Sequence, residues 1–130
     1  MALDSSLKAK DRILIVAVIY ERAPHESCSI CSLAQISNTL PTLTNRFALV
    51  IFDNSPQSQQ VLIDFDFPVL YKHNPAYLGL AGAYNFALKL AEEGRFEWLL
   101  LLDQDTSLMR EFLLELIESI DLLTGRSDVA

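Results

Sequence analysis

Short runs of apolar residues constrain the fold of this chain more than any other feature. Ile13–Ile19 and Phe47–Phe52 contain no polar side chain, and the first run is mostly β-branched. Such runs are typical of strands that are buried on both faces of a parallel sheet. A third run predicts a strand over Phe96–Leu102, and Val69–Tyr71 predicts a shorter one. We therefore expect four strands.

Segments with helical spacing separate and follow these strands. The predicted helices run from a cap at Ser27 to Thr39 or Leu40, from Gln57 to Asp64, from Leu80 to Glu93 with a stop at Gly94, and from a cap at Ser107 to Gly125. Their spacing predicts inward faces made of Cys28, Ile30, Cys31, Leu33 and Ala34 in the first, Leu80, Tyr84, Ala87, Leu88 and Ala91 in the third, and Met109, Phe112, Leu113, Leu116, Ile117 and Ile120 in the last.

The resulting order, β-α-β-α-β-α-β-α, predicts an α/β fold. Strands that alternate with helices form a mostly parallel sheet with right-handed crossovers and helices on both faces. The length of 130 residues corresponds to one domain. We expect that domain to span residues 13–125, with tails at 1–12 and 126–130.

The charge balance argues against a nucleic-acid partner. The chain has 10 Lys and Arg against 17 Asp and Glu, a formal net charge of −7, whereas binding to nucleic acid requires clustered cations. No run of 18 apolar residues is present, so no membrane span is expected. The first ten residues lack the apolar core of a signal peptide. We expect a cytoplasmic protein, and the alternative location is a peripheral one at the inner membrane.

Polar residues follow the three long strands at the point where each strand ends. Tyr20, Glu21 and Arg22 follow the first, Asp53 and Asn54 the second, and Asp103-Gln104-Asp105 the fourth. In an open parallel sheet, ligands bind beyond the carboxyl ends of the strands, where the strand order reverses. We therefore expect these side chains to share one edge of the sheet.

Asp103 and Asp105 form the most informative of these groups. Two carboxylates one residue apart repel each other unless something neutralises them. Mg²⁺ or Mn²⁺ accepts one or two carboxylates together with substrate phosphate oxygens, so the pair predicts a divalent cation. The alternative is a turn or a helix cap, because Asp and Asn favour both.

Gly79 and Gly82 open the third predicted helix. Small residues there let the backbone approach a ligand, and a helix N-terminus favours anions. The segment is not a G-x-G-x-x-G motif, and a purely structural turn explains it equally well.

Together these segments resemble the nucleotide-binding half of family 2 glycosyltransferases, which have the Rossmann-like GT-A fold, and most closely the bacterial rhamnosyltransferase-type subgroup. The likeness runs from Ile13 to about Gly125. The matching segments are Ile13–Tyr20, Val50–Ser55, Asn74–Asn85 and Trp98–Thr106.

The resemblance implies a role for each group. Asp103-Gln104-Asp105 looks like the D-x-D motif, in which Asp105 ligates the metal and Asp103 holds the ribose or the surroundings of the metal. Asp53 resembles the acid that hydrogen-bonds the uracil or thymine ring. The backbone around Tyr20 would cradle the base, and the segment from Leu78 to Asn85, with Gly79 and Gly82, would pack beside the nucleotide.

The resemblance also implies the activity. It is the inverting, metal-dependent transfer of a sugar from a UDP- or dTDP-sugar to a saccharide or lipid-linked acceptor. The family ends its first strand in Thr-Tyr-Asn or a close variant, whereas Tyr20 is followed here by Glu21 and Arg22. The acceptor-binding half, with its catalytic base, lies beyond the D-x-D helix in the family. We therefore expect this chain to be the donor-binding part alone, inactive by itself.

Other functions remain open from the residues. Cys28-Ser29-Ile30-Cys31 has the spacing of a thioredoxin-type redox motif, and His25, Cys28, Cys31 and His73 could supply a zinc site. A phosphoacceptor receiver would place paired acids after the first strand rather than the fourth. A nucleotidyltransferase or a non-catalytic nucleotide-binding domain is the main alternative, although a nucleotidyltransferase needs a glycine-rich, basic first loop.

Overall fold

The computed structural model describes residues 12–39, 46–76, 79–94 and 96–129, and the side chains only as far as residue 123. The strands are β1 (Ile13–Ile19), β2 (Phe47–Asp53), β3 (Val69–His73) and β4 (Trp98–Leu102). The helices are α1 (Cys28–Thr39), α2 (Gly79–Gly94) and α3 (Arg110–Val129), with a short 3₁₀ turn at Pro24–Glu26.

All strand pairs are parallel, in the order β3-β2-β1-β4. Ile19 lies opposite Asp53 in the β1–β2 pair, and Ala17 lies opposite Leu102 in the β1–β4 pair. The carboxyl ends of β1, β2 and β4 therefore meet at one edge of the sheet. The predicted α/β fold with a parallel sheet is confirmed.

Helices cover both faces of the sheet, as predicted. Alternate residues of β1 and β2 point to opposite sides, so Ile15 packs with α1 and α3 while Val16 packs with α2. Every residue of β2 is buried, and β1 is buried apart from Val18. This burial on both faces is the physical reason that the two strands appear as unbroken apolar runs.

The predicted helix over residues 57–64 is wrong, because this part of the chain is neither helix nor strand. Its burial alternates residue by residue: Val61, Ile63 and Phe65 pack against the core on the α1–α3 face, while the residues between them are exposed. A period of two requires an extended chain. The apolar alternation in the sequence was a strand-type signal that the prediction overlooked.

The predicted inward face of α2 is wrong in part. A stripe of alanines, Ala83, Ala87 and Ala91, is buried against the sheet, whereas Leu80 and Tyr84 are exposed. Small side chains at i, i+4 and i+8 let the helix backbone approach the sheet closely. The leucine-based prediction favoured the largest apolar residues and rotated the face.

The buried face of α1 also differs from the prediction. In α1 Cys28 is exposed and Cys31 is partly exposed, because Ile30, Leu33 and Ile36 form the buried face. The cap predicted at Ser27 is confirmed, since Ser27 Oγ accepts a hydrogen bond from Ile30 N at 3.3 Å.

The last helix begins at Arg110 rather than after Ser107, and it continues past Gly125 to Val129. Leu113 and Ile120 form its buried face, whereas Met109, just before the helix, and Phe112 are exposed. β4 is also shorter than predicted, because Phe96 precedes the strand and packs on the α2 face.

Candidate functional site

A crevice lies where the strand order reverses. β2 and β3 lie on one side of β1 and β4 lies on the other, which makes the carboxyl ends of β1 and β4 the expected ligand position. The crevice has a volume of about 210 Å³. It is lined by Val18, Ile19, Tyr20, Asn54, Gly79, Leu80, Asp103, Gln104 and Asp105.

Most of the predicted site residues are brought together in this crevice. They are Tyr20, Asn54, Gly79, Asp103, Gln104 and Asp105. The described lining residues do not include the other four, Glu21, Asp53, Gly82 and Asn85. The convergence comes from four separate segments of the chain, so it is a property of the fold and not of one turn.

Gln104 links the loop after β4 by hydrogen bonds to the end of β1 and to the start of α1. Its side-chain oxygen accepts a hydrogen bond from Tyr20 N at 3.0 Å, at the end of β1. Its carbonyl oxygen accepts hydrogen bonds from Cys28 N at 3.0 Å and from Ser27 Oγ at 2.9 Å, at the start of α1. The middle residue of the acidic triplet therefore sets the position of the two acids beside it.

Asp103 organises the chain that follows it. One carboxylate oxygen accepts hydrogen bonds from Asp105 N at 3.1 Å, Thr106 N at 3.0 Å and Thr106 Oγ1 at 2.7 Å. The Thr106 hydroxyl, helped by the two backbone N–H groups, lowers the pKa of Asp103 below its usual value. Because Asp103 is exposed, it presents an ionised carboxylate to the crevice.

Asp105 forms an ion pair with Arg22, which follows β1. The side chains are 36% exposed for Arg22 and 68% exposed for Asp105, so solvent reaches both. The pair joins two loops that are 83 residues apart in the chain, at the mouth of the crevice. The sequence had left the role of Arg22 undefined, although its place after β1 put it on the same rim as Asp105.

Asp53 is buried, and both of its carboxylate oxygens accept hydrogen bonds within the protein. The donors are Ser55 N at 2.9 Å on one oxygen, and Gln59 Nε2 and the Tyr71 hydroxyl on the other. Burial alone would raise the pKa of Asp53, but these hydrogen bonds outweigh it and hold the pKa below its usual value. The same contact and burial raise the pKa of Tyr71 to about 12, so Tyr71 donates as a neutral hydroxyl.

The loop after β1 is hydrogen-bonded to Ser55 and Gln59, which both contact the buried Asp53. Glu21 has a positive φ of 50° and donates its N–H to Ser55 Oγ at 2.6 Å. Gln59 Nε2 contacts both Asp53 and the carbonyl oxygen of Arg22, at 3.0 and 2.9 Å. The sequence did not indicate the roles of Gln59 and Tyr71, because Gln59 lies in a segment that was predicted to be a helix and Tyr71 belongs to the short third strand rather than to the three long ones.

The start of α2 forms one wall of the crevice. Gly79 has a φ of +67°, a conformation that other residues rarely adopt, and its carbonyl oxygen accepts a hydrogen bond from Asn54 Nδ2 at 3.4 Å. Leu80 is 70% exposed at the crevice. Gly82 is partly buried and Asn85 is exposed on the same helix.

The metal-site and redox alternatives for the two cysteines find no support. Cys31 Sγ donates to the carbonyl oxygen of His25 at 3.0 Å, and His73 Nε2 contacts the carbonyl oxygen of Ser55 at 2.8 Å. No group of three His, Cys, Asp or Glu side chains suited to a metal occurs in the described part of the chain. Burial, followed by the neighbouring Cys28, raises the pKa of Cys31, whereas a reactive thiol requires a lowered one.

A larger groove, of about 470 Å³, lies along α3. Its described lining residues all belong to that one helix, and they are Leu114, Glu115, Ile117, Glu118, Asp121 and Leu122. Asp121 is already paired with Arg46. Because the described lining of this groove comes from one helix, whereas several strand ends converge on the smaller crevice, that crevice is the better candidate site.

The crevice fits a divalent cation of the kind that the sequence resemblance implies. Asp103 and Asp105 offer two exposed, oxygen-bearing ligands on one loop. Mg²⁺ commonly takes one or two carboxylates and completes its shell with substrate phosphates and water. Arg22 contacts Oδ1 of Asp105, so its positive charge opposes a cation at that carboxylate.

The chain matches the model of a known protein family. Residues 29–124, which are 96 of the 130 residues, match the model described as glycosyl transferase family 2. Comparisons with curated proteins and with solved structures found no match. None of the helices in the described ranges is long and apolar enough to cross a bilayer.

Proposed function

This chain belongs to glycosyl transferase family 2, and we propose that its crevice binds the nucleoside diphosphate of a sugar donor for an inverting, metal-dependent transfer. The observation that carries this proposal is the placement of Asp103 and Asp105 on the crevice beside the start of α2. Carboxylates for a cation and a helix N-terminus for an anion are together what a metal-bound diphosphate requires.

Each lining residue has a part in the proposed binding. Asp103 and Asp105 hold Mg²⁺ or Mn²⁺, which when bound neutralises the charge that develops on the diphosphate leaving group. The backbone at Gly79 approaches the phosphates, and the exposed surfaces of Tyr20 and Leu80 flank the base. Gln104 keeps both acids in place through its contacts to β1 and α1.

Asp53 contributes by holding the residues that support the loop after β1. Its two carboxylate oxygens already accept hydrogen bonds from Ser55, Gln59 and Tyr71. The direct contact with a uracil or thymine ring that the resemblance implies stays a prediction. It requires the base to replace Gln59 or Tyr71 at the carboxylate.

The crevice is smaller than the roughly 300–1,000 Å³ of sites that enclose a drug-sized ligand. We therefore propose that this chain holds part of the donor, a UDP- or dTDP-sugar of the rhamnosyltransferase type, within the domain of residues 13–125. The acceptor, a saccharide or a lipid-linked saccharide, and the base that deprotonates it are assigned to protein beyond these residues.

The test is calorimetric titration of UDP and dTDP with and without Mn²⁺. We expect binding that depends on Mn²⁺ and that weakens at least about tenfold in Asp105→Asn, because the variant loses a metal ligand. Glu118→Gln is the matched control, since it removes one exposed carboxylate on α3, away from the crevice. Unchanged affinity in Asp105→Asn, with the fold intact by circular dichroism, would refute the proposal.

A further inference from the structure

We propose that Arg22 and a divalent cation compete for the carboxylate of Asp105, so that Arg22 sets the affinity of this site for the cation. The proposal rests on the function proposed above. It concerns a residue at which the sequence departs from the family pattern, because Glu21 and Arg22 follow Tyr20.

The ion pair places a positive charge against Asp105, one of the two carboxylates that are proposed to hold the metal. The described residues that line the crevice include two carboxylates and no cationic side chain. Arg22 reaches over from the loop after β1 and neutralises one of them, Asp105.

The position of Arg22 is set by contacts on both sides of it. Its carbonyl oxygen accepts a hydrogen bond from Gln59 Nε2 at 2.9 Å, and Glu21 N donates to Ser55 Oγ at 2.6 Å. The chain then enters the 3₁₀ turn, in which Glu26 N donates to the carbonyl oxygen of Ala23 at 2.9 Å. The fold therefore directs Arg22 toward Asp105, and the contact is not that of a loose surface loop.

Arg22 and a cation oppose each other at this carboxylate. Arg22 contacts one oxygen, Oδ1, so a cation that binds Asp105 either displaces the guanidinium or binds beside it. In both cases the repulsion between two positive charges a few ångströms apart weakens cation binding. A displaced Arg22 is left beside the diphosphate, whose oxygens it is suited to contact.

The expected effect is modest because both side chains are partly exposed. Exposed ion pairs contribute little to stability, which translates into about a two- to fivefold change in affinity. Arg22→Gln is expected to bind Mn²⁺ about two- to fivefold more tightly than the unmodified chain, in the absence of any nucleotide. The measurement is Mn²⁺ titration followed by electron paramagnetic resonance.

Two further variants make the result specific. Lys89→Gln removes one exposed positive charge on α2 and is expected to leave Mn²⁺ affinity unchanged. The double variant Arg22→Gln/Asp105→Asn is expected to bind Mn²⁺ no better than Asp105→Asn alone. Equal tightening in Lys89→Gln would show an effect of net charge and would overturn the proposal.

The remaining outcomes separate this proposal from the proposed function. If Asp105→Asn weakens Mn²⁺ binding while Arg22→Gln matches the unmodified chain, the competition is refuted and the metal role of Asp105 stands. If Asp105→Asn leaves Mn²⁺ affinity unchanged, both proposals fail.

Discussion

The ends of β2 and β4 carry similar residues and differ in almost every physical respect. Asp53 at the end of β2 is buried, and its carboxylate is saturated by donors from the protein. Asp103 and Asp105 at the end of β4 are exposed on a crevice. An acid at the end of a parallel strand can thus either hold the protein together or face a ligand.

The difference follows from the position of each strand in the sheet. β2 lies between β1 and β3, and the extended segment after it folds back so that Gln59 reaches Asp53. β4 has one partner among the described strands, β1, so less protein surrounds its end. In this sheet β2 encloses its terminal acid, whereas β4, with one described neighbour, leaves its acids exposed.

Replacement of Asp53 tests this difference between the two strand ends most directly. Asp53→Ala removes the acceptor for Ser55 N, Gln59 Nε2 and the Tyr71 hydroxyl, at a position where Ser55 is buried and Gln59 and Tyr71 are partly buried. We expect a loss of about 3 kcal/mol in the free energy of unfolding, since buried hydrogen bonds to a charged group are costly to break. Urea denaturation at pH 7 measures it.

Asp103→Ala is the control at the other strand end. Because Asp103 is exposed, we expect its replacement to lower the free energy of unfolding by less than about 1 kcal/mol. Equal losses for the two variants would mean that burial does not separate the two strand ends.

The second prediction concerns the pH dependence of the buried group. Hydrogen bonds hold the pKa of Asp53 below its ordinary value of 3.8 in the folded protein. The ionised group therefore stabilises the fold above that ordinary value, and this stabilisation is lost as the pH falls through the folded pKa. Tyr71 keeps its proton throughout, because its pKa is raised to about 12.

Tyr71→Phe removes one of the donors to Asp53. We expect a loss of about 1.5 kcal/mol at pH 7, the lower range for a hydrogen bond to a charged group. The loss should shrink as the pH falls through the folded-state pKa of Asp53, which lies below 3.8, because protonation of Asp53 weakens the contact. Urea unfolding at pH 7 and at a series of acidic pH values provides the comparison, and a loss that stays constant after Asp53 is protonated would contradict it.

Sequence reasoning succeeded where burial leaves a local pattern. β1 was predicted at its observed bounds, because a strand buried on both faces excludes polar side chains throughout. The grouping of the site residues at one edge of the sheet also follows from topology, since parallel strands bring their carboxyl ends to the same edge. Six predicted site residues, all adjacent to strand or helix ends, consequently meet in the crevice.

The failures have a common cause, which is dependence on distant contacts. The pairing of Arg22 with Asp105 joins residues 83 apart, and the burial of Asp53 depends on Gln59 and Tyr71. No local pattern carries that information. The face of α2 was misjudged because close packing against the sheet selected alanine over leucine, a choice that depends on the distance between helix and sheet.

The smallest expected effect concerns what holds the end of β4 in place. Ser27 Oγ caps α1 and also donates to the carbonyl oxygen of Gln104, so Ser27→Ala weakens both the helix start and the acidic loop. We expect a loss of about 1 kcal/mol in the free energy of unfolding, as for other N-cap serines, and faster hydrogen exchange at Cys28 N, which donates to the same carbonyl.

Ser37→Ala is the matched control, because Ser37 is buried on the same helix and contacts Ala34 and Asp66, away from the crevice. It should lower stability to a similar extent without a selective increase in exchange at Cys28. If the two serine variants speed that exchange equally, α1 does not anchor the loop specifically. The end of β4 would then depend more on the hydrogen bond from Tyr20 N to the Gln104 side chain than on α1, whereas Asp53 at the end of β2 depends on contacts from Ser55, Gln59 and Tyr71.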